Sequence, residues 1–208
     1  MTSPESTMPL SPSRRAWLIR AARVVTEVTA PAVLASALLI VVALDTATSG
    51  TSAVAWGLVA ALFAAGLPFA FILRGARAGE WSTHHVNERE RRPLVLGVAL
   101  GSLLVGVIVL ATVNAPRELL ALVVAMGAGL ISVLAVSRVW KVSIHAAVAG
   151  GTTVVLALMF GPVLLVFGLV ALAAAWSRIV LDDHSVPQVV VGLCLGAAVA
   201  AAVFGALR

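Results

Sequence analysis

Residues 94–113 read LVLGVALGSLLVGVIVLATV, an unbroken run without a charged side chain. At about 1.5 Å of rise per residue, a helix over that run reaches the roughly 30 Å of a bilayer's hydrocarbon core. Similar apolar stretches recur at about 29–45, 53–74, 118–137, 143–160, 162–177 and 187–207. The 162–177 stretch is short for a span and needs support at its ends. The whole 208-residue chain is 61% hydrophobic and 11% charged, with a mean hydropathy of +1.09. A soluble domain of this length cannot hide so much apolar surface, whereas a bilayer solvates it. The expected fold is therefore all-α, a polytopic transmembrane helical bundle of six or seven spans.

The remainder divides simply. Residues 1–13 (MTSPESTMPLSPS) are rich in Ser and Pro and read as a disordered tail. Residues 14–28 mix four arginines with Trp17, Leu18 and Ile19, as in an amphipathic helix lying in the membrane interface. No small-residue cleavage site follows, so the first span reads as an uncleaved anchor. Residues 29–208 form a single transmembrane domain. The lone Cys194 lies in an apolar run and has no partner for an internal disulfide. Gly97/Gly101 and Gly192/Gly196 have the four-residue spacing that allows close helix contact.

A net charge of +5 and a pI near 11.3 mark cytoplasmic loops and anionic lipid here; no nucleic-acid partner is expected. With the N-terminus inside, only Arg117 and Arg208 of the fourteen Lys and Arg fall outside. Setting aside Arg92, Arg138, Lys141 and Arg178 as candidates for chemistry leaves eight against two, the same sign. The four histidines His84, His85, His145 and His184 all sit at polar breaks of that same parity. The expected location is thus a cell membrane, with the polar site facing the cytoplasm.

Three segments meet that description. They are His85-x6-Arg92-Pro93, then Lys141-Val142-Ser143-Ile144-His145, then Ser177-Arg178-x5-His184-x3-Gln188. Arg92 and Arg178 offer planar paired donors suited to phosphate. Helix N-termini at Ser143 and near Pro187 would add backbone N–H donors and a favourable dipole. Phosphoryl transfer asks chiefly for such positioning and positive charge. Gln188 follows His184 by four residues, so on a helix its carbonyl is placed to accept from the imidazole N–H. Asp182 and Asp183 are the nearest carboxylates in the same break.

In order and spacing these segments resemble the type 2 phosphatidic acid phosphatase (PAP2) superfamily, whose signatures are KxxxxxxRP, PSGH and SRxxxxxHxxxD. The resemblance covers about residues 85–192. His85 stands in place of the leading Lys, VSIH in place of PSGH with Ser143 and His145 kept, and Gln188 in place of the closing Asp. It implies a PAP2-type bundle and a lipid phosphatase acting on a phosphate mono- or diphosphate ester, of polyprenyl or phosphatidyl type. His184 would be the nucleophile that forms a phosphohistidine, His145 the general acid, and Gln188 the orienting group. Arg92, Arg178, Ser143, His85 and Lys141 would contact substrate, with no metal and no cofactor.

Plainer roles stand beside these. Arg92, Arg178 and Lys141 also suit positive-inside anchors, and His85 a solvated loop. Ser143 and Ser177 suit helix capping. A metal or haem site lacks the usual further ligands at ligand spacing. A transporter would place its polar groups at mid-membrane. The alternative function is a catalytically silent relative that binds lipid phosphate or scaffolds membrane partners.

Overall fold

A computed structural model of the chain describes residues 11–78 and 92–208, with the side chains of Pro12, Arg92 and Pro93 left aside. Among the described residues the structure is all-helical. Helix α1 (Pro12–Val28) meets α2 (Pro31–Thr46) at a 42° bend. Helix α3 (Gly50–Ala61) runs through a π-turn at Leu62–Gly66 into α4 (Leu67–Arg77). Helices α5 (Arg92–Thr112) and α6 (Arg117–Ser137) form a hairpin. Helix α7 (Ile144–Phe160) leads through a 3₁₀ turn at Pro162–Phe167 into α8 (Gly168–Val180). Helix α9 (Val186–Val199) passes a second π-turn at Ala200–Phe204 and ends in the short α10 (Gly205–Leu207).

Five of these helices are long and apolar enough to cross a membrane, or six if α1 and α2 make one bent span. The sequence led to six or seven, and the difference is α7. Its 17 residues rise only about 26 Å, short of a roughly 30 Å core. The 162–177 stretch instead gains length at its C-terminal end: the 3₁₀ turn and α8 together give 19 residues, Pro162–Val180. Another boundary also moves. Helix α1 starts at Pro12, whose fixed φ suits a first helical turn, so Pro12 and Ser13 belong to a helix and not to the expected tail. Residues 1–10 lie outside the described residues. The 14–28 segment is helical, and its stripe Ala22, Thr26 and Thr29 is buried where α1 packs against α8.

The break in α3–α4 shows how an irregular helix survives in apolar surroundings. Leu67 N–H reaches back five residues to Leu62 O. The next donor in that pattern is Pro68, which has no N–H, so Phe63 O is left over. Ser102 of α5 donates its hydroxyl to Phe63 O at 2.5 Å. One turn on, Gly106 lets α5 come close, because a Cβ there would stand 2.7 Å from Phe63 Cβ.

Large side chains gather at one end of the bundle. Leu39 and Val42 of α2, Leu110 of α5, Leu119 and Leu122 of α6, Val155 of α7 and Phe204 form the main core. At the other end the packed residues are small. Ala146 and Ala175 sit with Val189, and Ala149 with Ala171 and Ala174.

The most extensive helix contact is α7 with α9. It is a backbone contact: a Cβ at Gly192 would lie 2.6 Å from Ser143 O, and one at Gly196 would run into Ala147 O. The Gly192/Gly196 pair is thus a contact of the kind its spacing promised. Gly97 and Gly101 are not, since no described residue lies within 4 Å of either Cβ position.

Gly196→Ala is accordingly expected to force α7 and α9 apart, at a cost of about 1–3 kcal/mol or more. Gly97→Ala is expected to hold or raise stability, because Ala exceeds Gly in helix preference by up to about 1 kcal/mol. Thermal unfolding of the two variants in detergent compares them; equal losses would contradict the assigned contact.

Candidate functional site

The small-residue end of the bundle collects the polar groups. Helix α8 enters it carrying Ser177 and Arg178 in its last turn, both buried, with Arg178 only 4% exposed. A helix ending there must satisfy its last carbonyls, and the sequence Leu181-Asp182-Asp183 does so by reversing direction. Asp182 adopts a left-handed φ of 58°. Asp182 N–H then donates to Ile179 O at 3.0 Å, and Asp183 N–H to Arg178 O at 3.1 Å. These are the paired bonds of a Schellman motif with Asp where Gly is usual. His184 N–H adds a third, also to Arg178 O, at 3.2 Å. The reversal folds Asp183 back over its own helix, and its carboxylate meets the Arg178 guanidinium at 2.9 Å.

Three further ties hold this turn. Lys141 Nζ donates to Asp183 O. Thr26 of α1 donates its hydroxyl to Ser177 Oγ at 2.9 Å, and Ser177 Oγ donates to Ala174 O at 2.8 Å, both buried. Glu27, next to Thr26, is the second carboxylate acting on Arg178. Arg178 Nε is buried with no hydrogen-bond partner among the described residues.

Two helix N-termini open beside it. Ser143 caps α7, its Oγ accepting from Ala146 N–H at 3.4 Å. Ser143 N–H donates to Gln188 O, in the first turn of α9, at 3.3 Å. The starts of α7 and α9 are therefore bonded to each other, so the positive ends of both helix dipoles lie at the same end of the fold. His145 is in the first turn of α7 and buried. His184 is half-buried, between the Arg178 turn and the cap of α9.

Of the residues singled out in the sequence, Lys141, Ser143, His145, Arg178, His184 and Gln188 thus belong to one end of the fold. Gln188 has a different task from the one expected. Its Oε1 accepts from Ser185 N–H at 3.1 Å, closing a capping box at the start of α9. The spacing of four from His184 does not place the two on one helix face, because α9 begins only at Val186. His85 lies outside the described residues, as does the Arg92 side chain. Arg92 opens α5, which packs against α3, α4 and α6.

Sequence reading missed Asp183 as the partner of Arg178, and missed Thr26 and Glu27 altogether. A signal for Thr26 existed: with Ala22 and Thr29 it makes a small, weakly polar stripe at helical spacing in the segment that carries Arg20 and Arg23. Among the described residues no three His, Cys, Asp or Glu side chains gather as metal ligands. No protein-family model, curated protein or solved structure matches the chain.

Asp182→Gly is expected to raise stability by up to about 1 kcal/mol, since Gly enters the left-handed region without a Cβ penalty. Asp183→Ala should lower it by about 1–3 kcal/mol, because it leaves a buried guanidinium short of its carboxylate. Thermal unfolding checks both signs; a stabilising Asp183→Ala would show the ion pair to be dispensable.

Proposed function

We propose that this protein is a membrane lipid phosphatase that hydrolyses a phosphate mono- or diphosphate ester through a phosphohistidine. The observation that carries the reading is the joining of the α7 and α9 N-termini through Ser143 N–H and Gln188 O, beside a buried arginine with an unengaged Nε–H. Such a place favours an anion with several oxygens: backbone N–H groups and helix dipoles meet it from one side, a guanidinium from another. The resemblance of the surrounding residues to the PAP2 signatures supports the same chemistry. The excess of Lys and Arg on this side supports a cytoplasm-facing site in the cell membrane.

In that role Arg178 spreads positive charge over the equatorial phosphoryl oxygens, a task the resemblance to the PAP2 signatures also gives to Arg92. A ring nitrogen of His184 gives its lone pair to phosphorus as the P–O bond to the lipid breaks. His145 delivers a proton to the departing alkoxide. Water then attacks the phosphohistidine, with His145 taking its proton. The N–P bond breaks, inorganic phosphate leaves, and both imidazoles return to their starting states. Asp183 holds Arg178 before substrate arrives, and Lys141 holds the turn. No metal or cofactor has a step in this sequence.

The Arg178–Asp183 pair also favours a second reading, a silent protein that binds lipid phosphate or scaffolds membrane partners. There the guanidinium is already neutralised, and Gln188 supplies a cap where the family signature has a carboxylate.

Phosphate release from purified protein in detergent, over polyprenyl and diacylglycerol phosphates, separates the two. His184→Ala is expected to lower turnover by about a thousandfold or more. His145→Ala should be far less damaging with an aryl phosphate, whose leaving group needs no proton. Gln188→Asp keeps an acceptor at the start of α9 and is expected to keep or raise the rate. No release from any lipid, by wild type and Gln188→Asp alike, would establish the silent reading.

A further inference from the structure

Helix α1 belongs to the polar end in a way that its place in the sequence conceals. Thr26 meets Ser177 of α8, while Leu34 of α2 packs against the Ala149–Ala171–Ala174 cluster. The chain from α1 into α2 therefore runs antiparallel to α8. About 21 Å of α1 precede Thr26, whereas α8 has only about 4.5 Å left after Ser177. The first turns of α1 thus pass beyond the end of α8, level with the turn that carries Asp183 and His184 and outward from it.

The faces of this helix differ. At about 100° per residue, Ala22, Thr26 and Thr29 fall together, and all three are buried. Trp17, Val24 and Val28 fall together on the opposite side, exposed by 67%, 62% and 62%. Arg20 flanks that apolar stripe on one side and Arg14 on the other, and Arg15 and Arg23 are exposed as well. This is the pattern of a helix seated in a headgroup layer, with apolar side chains inserted and guanidinium groups at the level of the lipid phosphates. Bundle and leaflet take opposite faces, so both contacts form at once.

The protein's own hold on α1 is slight. Its buried stripe is made of small residues, and a hydroxyl bond between membrane helices is worth only about a threefold preference. Each arginine beside an anionic leaflet adds about fivefold. Four of them fall between positions 14 and 23, and together they outweigh that bond. Beside a neutral leaflet the same four only repel one another. Leaflet charge therefore decides how firmly α1 sits. What α1 holds in turn is Arg178: Thr26 fixes the residue before it, and Glu27 is one of two carboxylates acting on it.

We propose that α1 is a sensor arm, seated on α8 by an anionic membrane surface, and that the Thr26–Ser177 bond passes this seating to the Arg178 turn. The partner is the leaflet surface and not a soluble anion, because the arginines border an apolar stripe that a bilayer covers and water does not. This adds a control to the site assigned to phosphate chemistry. It rests on that reading only for what the controlled site does, since the seating is read without turnover.

Hydrogen exchange of the full chain in nanodiscs tests both links. The discs hold phosphatidylcholine alone or phosphatidylcholine mixed with phosphatidylglycerol, and peptides covering 14–28 and 178–188 are followed by mass spectrometry. Phosphatidylglycerol is expected to slow exchange about tenfold in both segments. In the second, the Asp183 and His184 amides bonded to Arg178 O carry the signal. Equal exchange in the two kinds of disc overturns the proposal. So does the same slowing by glycerol 1-phosphate added to neutral discs.

Thr26→Val removes the hydroxyl at nearly constant shape, and Thr26→Ser keeps it. With Val, α1 should still respond to phosphatidylglycerol while the turn does not; with Ser, both should respond. A turn that responds as fully in Thr26→Val as in wild type overturns the coupling. Phosphate release from a lipid phosphate in the same discs should rise with phosphatidylglycerol. No release in any disc, with the exchange response intact, retires the phosphatase and leaves the arm standing.

Discussion

The contact between α7 and α9 sets the geometry on which the polar end depends. In lipid, apolar side chains gain little by leaving the membrane for one another, so helices associate through close packing and backbone approach. Gly192 and Gly196 make that approach possible, with the Ser143 and Ala147 carbonyls resting where side chains would otherwise stand. The same contact fixes the register of the two helix starts, because Ser143 N–H must reach Gln188 O. Sliding either helix by one residue moves its end about 1.5 Å and breaks that bond. The large residues around Phe204, Leu39 and Leu119 anchor the opposite end. Small residues near the site leave the helices close enough to share a polar cap.

Around that cap the chain uses ordinary end-of-helix chemistry for an unusual purpose. A Schellman turn normally stops a helix and releases the chain. Here it returns Asp183 to Arg178 and sets His184 one residue later, so local backbone bonding orders an ion pair and an imidazole together. The buried Thr26–Ser177 bond brings in α1 from the other side, with Glu27 beside it. Arg178 is thereby held by elements far apart in sequence.

Most of the fold was legible because a membrane span announces itself: the apolar stretches from 53 onward fall on helices with ends shifted by a few residues. What escaped was tertiary or depended on subtle backbone choices. Nothing local to 62–66 marks a π-turn except the approach of Pro68, and its partner Ser102 is a distant residue on another helix. Of the polar residues gathered at that end, Ser143, His145, Arg178 and His184 stood out in the sequence. Asp183 was weighed only as a carboxylate near a histidine, because the reversal at Asp182 cannot be read from hydropathy. Gln188 was misjudged for the same reason: counting four residues from His184 assumes one continuous helix, while the chain is still turning.

The bond from Ser102 to Phe63 O has a consequence for biogenesis. A carbonyl without a donor costs several kcal/mol in hydrocarbon, and α3–α4 carries one from the moment it enters the membrane. Its relief comes from α5, made later in synthesis. The α3–α4 span is therefore incomplete on its own as a lipid-embedded unit, and its release into the bilayer is favoured only once the following span has been delivered beside it. The order of insertion is written into a proline that lacks a proton and a serine that supplies one.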